Sequence, residues 1–487
     1  MVRLNTNVPA YENDVKEVIR MFLGLVEIEE TMEQPTFSIS VRLSEGKAIA
    51  SEGERAHTVL LESVDENDRW ERKRVEKRAI KRAVYALMQE LHPTEMPWGS
   101  LTGIRPTKLY RELAEREGEE RAKRRFSEEF SVRSDKQALI ETLHRVQSPV
   151  IRSVQEKDID LYLGIPYCRS RCLYCSFGAE VARGGNALEE YLNALFLDME
   201  NGAALVRDGG FTVRATYFGG GTPTVLDAKQ LDRVLTKLTD CFSGFGQEFT
   251  VEAGRPDTIT AEKLRVLKAH GVERISINPQ TMSDETLKRI GRFHTSKEIL
   301  DTFALARSIG FSAINMDIIA GLPGETEDDM AHTLSEIERM RPDNLTVHTL
   351  AIKRSSRLKE RLEEYPLPSR ESVERMIRMG AESAERMGMV PYYLYRQKYQ
   401  NGNLENVGYA TPETVCMYNI DMMEETTSIL AQGAGAMNKR VFWQENRVER
   451  IANPKDVPTY REKLPRLNQE KRALFLEGKT GILRENS

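Results

Sequence analysis

The chain has 487 residues and a formal net charge of -5, with 40% hydrophobic and 30% charged residues. This length predicts two or three domains, and this composition is typical of a folded globular protein without general affinity for nucleic acid or anionic lipid. No apolar run has the length of a signal peptide or a membrane span, so we expect a cytoplasmic protein.

Residues 1–150 are predicted to form an N-terminal α+β accessory domain. The expected elements are a helix, two strands and a long helix, over 15–23, 36–43, 58–64 and 68–91. The long helix carries a run of Arg and Lys that could bind an anion. A solvated face partly balanced by Glu71 and Glu76 explains the same residues and is the preferred interpretation.

Short apolar runs alternate with amphipathic helical stretches from about residue 155 to residue 365. The predicted strands are 160–165, 212–218, 248–252, 274–277, 313–319 and 344–350. Such alternation predicts a parallel sheet with right-handed crossovers, closed or partly closed, whose chemistry lies at the carboxyl ends of the strands. The pattern from 366 to 487 is mainly helical.

Three of the five cysteines, Cys168, Cys172 and Cys175, lie within eight residues. Such crowding without an export signal indicates metal ligation or redox chemistry rather than disulfides. The spacing C-x3-C-x2-C can wrap one [4Fe-4S] cluster and, with no fourth cysteine nearby, leaves one iron open. The expected ligand of that iron is S-adenosylmethionine (SAM). Zinc is the alternative, but it prefers a fourth Cys or His.

A glycine run follows the next predicted strand at 219–221. Glycines at a strand end let the backbone approach a ligand closely. Because loops after adjacent parallel strands meet at one mouth, this run predicts a site shared with the cysteines. Polar residues near other strand ends favour a ligand with hydroxyls and a charged end, and they are Glu252, Gln280 and Asp317.

Over roughly 155–450 the sequence resembles the oxygen-independent coproporphyrinogen III oxidases and their radical SAM relatives. The resemblance rests on 162–177, 219–224, Glu252, 279–280, Arg292, 317–323 and 433–436. Residues 97–108 further resemble the HemZ-type branch. The implied fold is α/β, a partial (β/α)6 radical SAM barrel at 155–365 with the N-terminal α+β domain and a mainly helical, substrate-covering domain at 366–487.

The resemblance also implies the binding residues. The three cysteines would hold the cluster, and motif matches to the first SAM are Tyr162, Gly220, Glu252 and Met437. The oxidase branch binds a second SAM, and the matching positions here are Tyr174, Gly221, Thr222, Gln280, Arg292, Asp317 and Ala351. Phe177 stands where the oxidase branch has a further, non-ligating cysteine, as in the related heme-chaperone branch.

The activity implied is that of a coproporphyrinogen dehydrogenase in porphyrin and heme biosynthesis. Reductive cleavage of SAM would give a deoxyadenosyl radical that takes hydrogen from a propionate of coproporphyrinogen III. Loss of carbon dioxide and one electron would leave a vinyl group, and two rounds would give protoporphyrinogen IX. The alternatives are a heme-binding chaperone, which Phe177 favours and the long N-terminal region disfavours, and a radical SAM methyltransferase acting on tetrapyrroles or another aromatic substrate.

The expected partners are a tetrapyrrole substrate and a small electron donor protein of the flavodoxin or ferredoxin type. We expect a monomer that binds no nucleic acid. The carboxylates of the substrate need cations, and the candidates are Arg105, Lys108, Lys353, Arg354 and Arg357.

Overall fold

The computed structural model describes the chain apart from residues 25, 32–34, 66–67, 176–179, 183–185, 354, 398–402 and 479–487. The chain folds into two compact units. The first holds Met1–Thr142 with short stretches around Arg396 and Leu404, and the second holds most of the chain from Leu143 onward. The three-domain assignment stays a prediction.

The first unit combines a five-stranded sheet with helices. Its strands are β1 (Val2–Thr6), β2 (Ile28–Glu29), β3 (Phe37–Ser44), β4 (Lys47–Glu52) and β5 (Arg55–Leu60), and its helices are α1 (Glu12–Leu23), α2 (Arg69–Leu91), α3 (Pro106–Glu117), α4 (Glu119–Arg124) and the start of α5 (Ser134–Arg152). The strand order is β2-β1-β3-β4-β5, with β1 parallel to both neighbours and the other pairs antiparallel.

The basic run on α2 forms ion pairs within the first unit. Asp14 accepts from Lys77 and Lys81 at 2.7 and 2.8 Å, and Glu71 and Glu76 each lie 3.3 Å from an arginine of the same helix. Burial works against the ionised Asp14, but the two lysines outweigh it and lower its pKa. The predicted partial balance by Glu71 and Glu76 is therefore confirmed, whereas Lys81 is mostly buried rather than solvated.

The second unit is an α/β fold around an eleven-stranded sheet. Six strands run parallel in the sheet order β6-β9-β10-β11-β12-β13. They are β6 (Asp158–Ile165), β9 (Thr212–Gly220), β10 (Glu248–Gly254), β11 (Arg274–Ile277), β12 (Ala313–Ala320) and β13 (Asn344–Thr349), and a separate short pair is formed by β7 (Tyr167–Cys168) and β8 (Glu180–Val181). These six strands are the six predicted from the sequence.

Helices connect the parallel strands, as the alternating pattern predicted. They are α6 (Asn186–Gly209), α7 (Ala228–Phe242), α8 (Ala261–Ala269), α9 (Asp284–Arg289), α10 (Ser296–Ile309) and α11 (Glu327–Met340), and the short α12 (Arg357–Glu360) follows β13. Side-chain caps fix several helix starts. Asp227 and Gln230 form a capping box at α7, and Thr295 and Glu298 form another at α10.

The C-terminal region contributes helices and five further strands. The helices are α13 (Arg370–Arg386), α14 (Met417–Glu424) and α15 (Val457–Arg472), and the strands are β14 (Val390–Tyr395), β15 (Asn406–Ala410), β16 (Ser428–Gln432), β17 (Met437–Phe442) and β18 (Arg447–Ala452). β16 lies parallel to β6, and antiparallel strands complete both sheet edges. No helix in the described part of the chain is both long and apolar enough to cross a bilayer.

A buried ion pair ties α15 to α6. The ammonium of Lys471 donates to Asp198 at 2.7 Å and to the carbonyl of Ala431 at 2.8 Å, and the hydroxyl of Tyr460 donates to the same carboxylate at 2.7 Å. Lys471 and Asp198 are both almost wholly buried. Each charge therefore depends on the other for compensation.

Candidate active site

The three cysteines lie on the connection that follows β6. Cys168 is half-buried on β7, Cys172 is buried, and Cys175 is half-buried. Backbone hydrogen bonds fix this loop, since the Leu173 amide donates to Ile290 at 2.9 Å and the Leu173 carbonyl accepts from Leu358 at 2.9 Å. The loop is thus positioned by segments that follow β11 and β13.

The glycine run at the end of β9 lies directly against the cysteine loop. A Cβ on Gly221 would lie 2.4 Å from the carbonyl oxygen of Tyr167 and 2.9 Å from Sγ of Cys168. Gly220 has a φ of +105°, and a Cβ there would lie 2.8 Å from the carbonyl oxygen of Ile165. Only glycine allows the strand end to approach the loop this closely.

Hydrogen-bond donors surround two of the three sulfurs. Thr222 Oγ1 donates to Cys168 Sγ at 3.5 Å, and Nη1 of Arg255 donates to Cys172 Sγ at 3.8 Å. Arg292 also donates to Cys172 and to Tyr174. Burial raises the pKa of Cys168 although the Thr222 hydrogen bond acts the other way. Cations and N–H donors suit sulfurs that are to carry negative charge.

These residues fit an iron–sulfur cluster better than a single ion. Among the described residues, no group of three or more His, Cys, Asp or Glu side chains is placed to hold a metal ion, the three cysteines included. In a cluster each cysteine binds a different iron, so the thiols of the three cysteines need not converge on one point. Three thiols on one loop, with donors to two sulfurs and a glycine edge beside them, are a donor set for such a cluster.

A row of partly exposed polar side chains continues from the loop along the parallel strands. Tyr162, Tyr217, Glu252, Asp317 and His348 each stand between buried neighbours on β6, β9, β10, β12 and β13. We call these five residues the inner face. The rings of Tyr162 and Tyr217 stack with their centroids 6.2 Å apart.

Glu252 has the most perturbed carboxyl of the inner face. Desolvation by burial raises its pKa to about 7, in spite of a 2.7 Å hydrogen bond from the Tyr217 hydroxyl to Oε1. The repulsion from Asp317 adds to the rise. A carboxyl with such a pKa is only partly ionised near neutral pH, and a ligand that offers it hydrogen bonds or positive charge would favour its ionised form.

Asp317 behaves in the opposite way. Burial works against its ionised form, but interactions with His348, Asn315 and Thr346 outweigh this and lower its pKa. The Asn315 amide lies 2.8 Å and the His348 Nε2 3.7 Å from the carboxylate. The inner face therefore holds one carboxyl group with a lowered pKa and one with a raised pKa.

Gln280 occupies a strained backbone position next to Asp317. Its φ is +69°, its amide donates to the Asp317 carbonyl at 2.9 Å, and its carbonyl accepts from Ile319 at 3.0 Å. Arg292, which is buried, donates to the Asn278 carbonyl at 2.6 Å. A non-glycine residue with positive φ must be held by its surroundings, and such residues cluster at functional sites.

Other predicted residues lie on further segments of the chain or outside the described part. Met437 is half-exposed at the start of β17, and Ala351 is buried just beyond β13. The predicted cations divide between the units, with Arg105 and Lys108 in the first and Lys353 and Arg357 in the second. Phe177 and Arg354 lie outside the described residues.

Sequence reasoning missed three residues of the site. Arg255 lies three residues after Glu252, just beyond β10, so the strand-end rule that selected Glu252 could have found it. Tyr217 and His348 lie within predicted strands, where a polar side chain in an otherwise apolar run was the available signal.

Comparison with known proteins identifies the family. Residues 162–337 match the Radical SAM superfamily. The oxygen-independent coproporphyrinogen-III oxidase-like protein HemZ of Bacillus subtilis (strain 168) is 37% identical over 471 residues, which cover 94% of each chain. The chain belongs to the HemZ family of radical SAM proteins. The inferred resemblance is confirmed, and so are the cofactors, because this superfamily uses a [4Fe-4S] cluster and SAM.

Two further relatives of this radical SAM protein are more distant. Heme chaperone HemW of Bacillus subtilis (strain 168) is 36% identical over 193 residues, which cover 39% of this chain and 50% of that protein. The structure of coproporphyrinogen III oxidase (HemN) from Escherichia coli matches with a TM-score of 0.51 and 23% identity, covering 67% of this chain and 73% of that one. The latter match confirms the predicted radical SAM fold.

Proposed function

We propose that this radical SAM protein converts propionate side chains of coproporphyrinogen III into vinyl groups without oxygen, giving protoporphyrinogen IX. The observation that carries the proposal is the likeness to HemZ, an oxidase-like protein, along 94% of both chains. The geometry supports it, because the cysteine loop, the glycine edge and a polar inner face adjoin one another.

Cys168, Cys172 and Cys175 are the proposed cluster ligands. When bound, the cluster and SAM supply a one-electron reductive cleavage and with it a radical able to take a hydrogen atom. Gly220 and Gly221 bring the backbone close to the loop, where carbonyl groups could accept hydrogen bonds from the amino group of SAM.

The inner face is proposed to orient SAM. Glu252, ionised on binding, accepts hydrogen bonds from its amino or hydroxyl groups, and Tyr162 offers an aromatic surface beside it. Met437 is a further proposed contact of the first SAM, and the proposed contacts of a second SAM are Tyr174, Gly221, Thr222, Gln280, Arg292, Asp317 and Ala351. The ionised Asp317 is ready to accept hydroxyl donors without a proton being lost.

The substrate step requires the protein to position a propionate and to exclude water. As its two methylene carbons become a vinyl group, each propionate would release carbon dioxide, give one hydrogen atom to the SAM-derived radical and give one electron to an external acceptor. Lys353 and Arg357 of the second unit are the proposed partners of substrate carboxylates. Arg105, Lys108 and Arg354 remain candidates from the sequence alone. A flavodoxin- or ferredoxin-type protein is the proposed electron donor, and a monomer remains our expectation.

A heme chaperone is the second candidate. Phe177 occupies the position at which the oxidase branch has its additional cysteine, and HemW shares 36% identity over 193 residues. In this case the cluster loop would be retained and heme would replace coproporphyrinogen as the bound tetrapyrrole.

Anaerobic turnover separates these functions. The reconstituted protein is incubated with SAM, a reductant and coproporphyrinogen III, and the tetrapyrrole is analysed by mass spectrometry, with Cys172→Ala as the inactive control. Loss of two carbon dioxide units supports the proposal. Bound heme without turnover supports the chaperone, a gain of methyl groups indicates a methyltransferase, and either result refutes the oxidase.

A further inference from the structure

Arg255 is a buried arginine that faces the cysteine loop. It follows β10 and is only 3% exposed. Its Nη1 donates to Oγ of Ser170 at 2.8 Å and to the Ser170 carbonyl at 3.2 Å, and it lies 3.8 Å from Sγ of Cys172. The guanidinium therefore contacts both the backbone of the loop and one of its sulfurs.

Asp257 fixes the other edge of this guanidinium. Its two carboxylate oxygens accept from Nε and Nη2 of Arg255 at 3.0 and 3.1 Å. Burial works against the ionised carboxylate, but Arg255 outweighs it and lowers the pKa of Asp257. Because the guanidinium is planar and held at one edge, its Nη1 is oriented towards Cys172.

Charge at this position acts at short range. Arg255 and Asp257 are both buried, with side-chain exposures of 4% and 6%, so solvent screens them weakly. Arg169 on the same loop contacts Asp257 as well, but its side chain is 62% exposed. The two arginines thus carry the same charge beside the same loop in different dielectric surroundings.

We infer that Arg255 is a positioning residue that sets the reduction potential of the cluster through its charge and its hydrogen bond to Cys172. The inference rests on the proposed ligation by the three cysteines. Three thiolates and one added electron concentrate negative charge in a buried site, and a buried cation with an N–H donor to sulfur stabilises the reduced form more than the oxidised form. Arg255 therefore makes the reduction potential less negative, which lets a weaker donor load the electron.

The test is an EPR-monitored redox titration of the anaerobically reconstituted protein. Arg255→Met is expected to shift the midpoint potential to a more negative value. Arg255→Lys keeps the positive charge but lacks the planar guanidinium, so its midpoint potential should lie between those of wild type and Arg255→Met. Asp257→Asn removes the neutralising carboxylate and should shift the potential in the opposite direction, to a less negative value.

Arg169→Met is the matched control, because it removes the same charge from the exposed side of the loop and should give a smaller shift. Iron and sulfide contents are measured first. A wild-type protein without a cluster contradicts the proposed ligation rather than this inference. With the cluster present, an unchanged or less negative potential in Arg255→Met, or an equal shift in Arg169→Met, overturns the role of Arg255. If Arg255→Met takes up no cluster, an unchanged or more negative potential in Asp257→Asn overturns it instead.

Discussion

The Tyr217 hydroxyl donates a 2.7 Å hydrogen bond to Oε1 of Glu252, at the centre of the inner face. This bond stabilises the ionised carboxylate, yet desolvation is the larger effect and leaves the pKa of Glu252 at about 7. Glu252 therefore gains or loses its proton around neutral pH, and the charge of the proposed SAM site changes with it.

Binding of SAM should depend on pH through Glu252. A carboxyl with a pKa near 7 is mostly protonated at pH 6, so binding that needs the ionised form costs a deprotonation there, and this cost disappears above pH 7. The affinity of the reconstituted protein for SAM should therefore rise between about pH 6 and about pH 8. Equilibrium binding measurements check this. Glu252→Gln should bind SAM more weakly, and its affinity should not rise over this pH range. A pH profile identical to that of wild type would contradict the role of Glu252.

Removing the Tyr217 hydroxyl should raise the pH at which the affinity for SAM increases. Tyr217→Phe deletes a hydrogen bond that favours the ionised Glu252, so the pKa should rise by about one unit. The midpoint of the affinity profile should shift to higher pH by the same amount. Tyr191→Phe, which removes a hydroxyl bonded to the Gly164 carbonyl instead, is the control and should leave the midpoint in place.

Loss of one proposed cluster ligand should abolish iron and SAM cleavage together. Cys172→Ala removes one of the three sulfurs proposed to hold the cluster. Cys241→Ala changes a half-buried cysteine on α7 and should keep iron, sulfide and deoxyadenosine formation. Iron analysis and chromatography of deoxyadenosine check both variants. Full SAM cleavage by Cys172→Ala would refute the ligand assignment.

The glycine edge should be intolerant of a single methyl group. In Gly221→Ala the new Cβ would overlap the Tyr167 carbonyl and approach Cys168 Sγ, so the loop must shift and cluster content should fall by about half or more. Gly103→Ala places its Cβ in open space, so this variant should bind as much of the cluster as wild type does. Equal iron content in the two variants would show that the close approach does not matter for cluster assembly.

The ion pair between α15 and α6 should contribute strongly to stability. Lys471→Met leaves Asp198 buried without its cation, and the expected loss in the free energy of unfolding is about 3–5 kcal/mol. Lys463→Met changes an exposed lysine of the same helix and should cost less than about 0.5 kcal/mol. Urea denaturation measures both. A loss below about 1 kcal/mol in Lys471→Met would mean that Asp198 finds another partner.

The amino-acid sequence by itself determined the elements whose signal is local. The spacing of Cys168, Cys172 and Cys175, the glycine run at 219–221 and the six parallel strands were all predicted from short stretches of chain. The periodicity of a strand or a helix is a property of consecutive residues. Because the carboxyl ends of parallel strands lie at the same edge of the sheet, the loops that follow them are brought together.

Only the tertiary structure decided the contacts between distant segments. Arg255 reaches a cysteine 83 residues away, and β16 pairs with β6 although Ser428 follows its partner Ile159 by 269 residues. The C-terminal strands were missed for the same reason. Which edge a short strand joins, and which charge is buried against which sulfur, depends on packing between remote parts of the chain, and no local pattern encodes it.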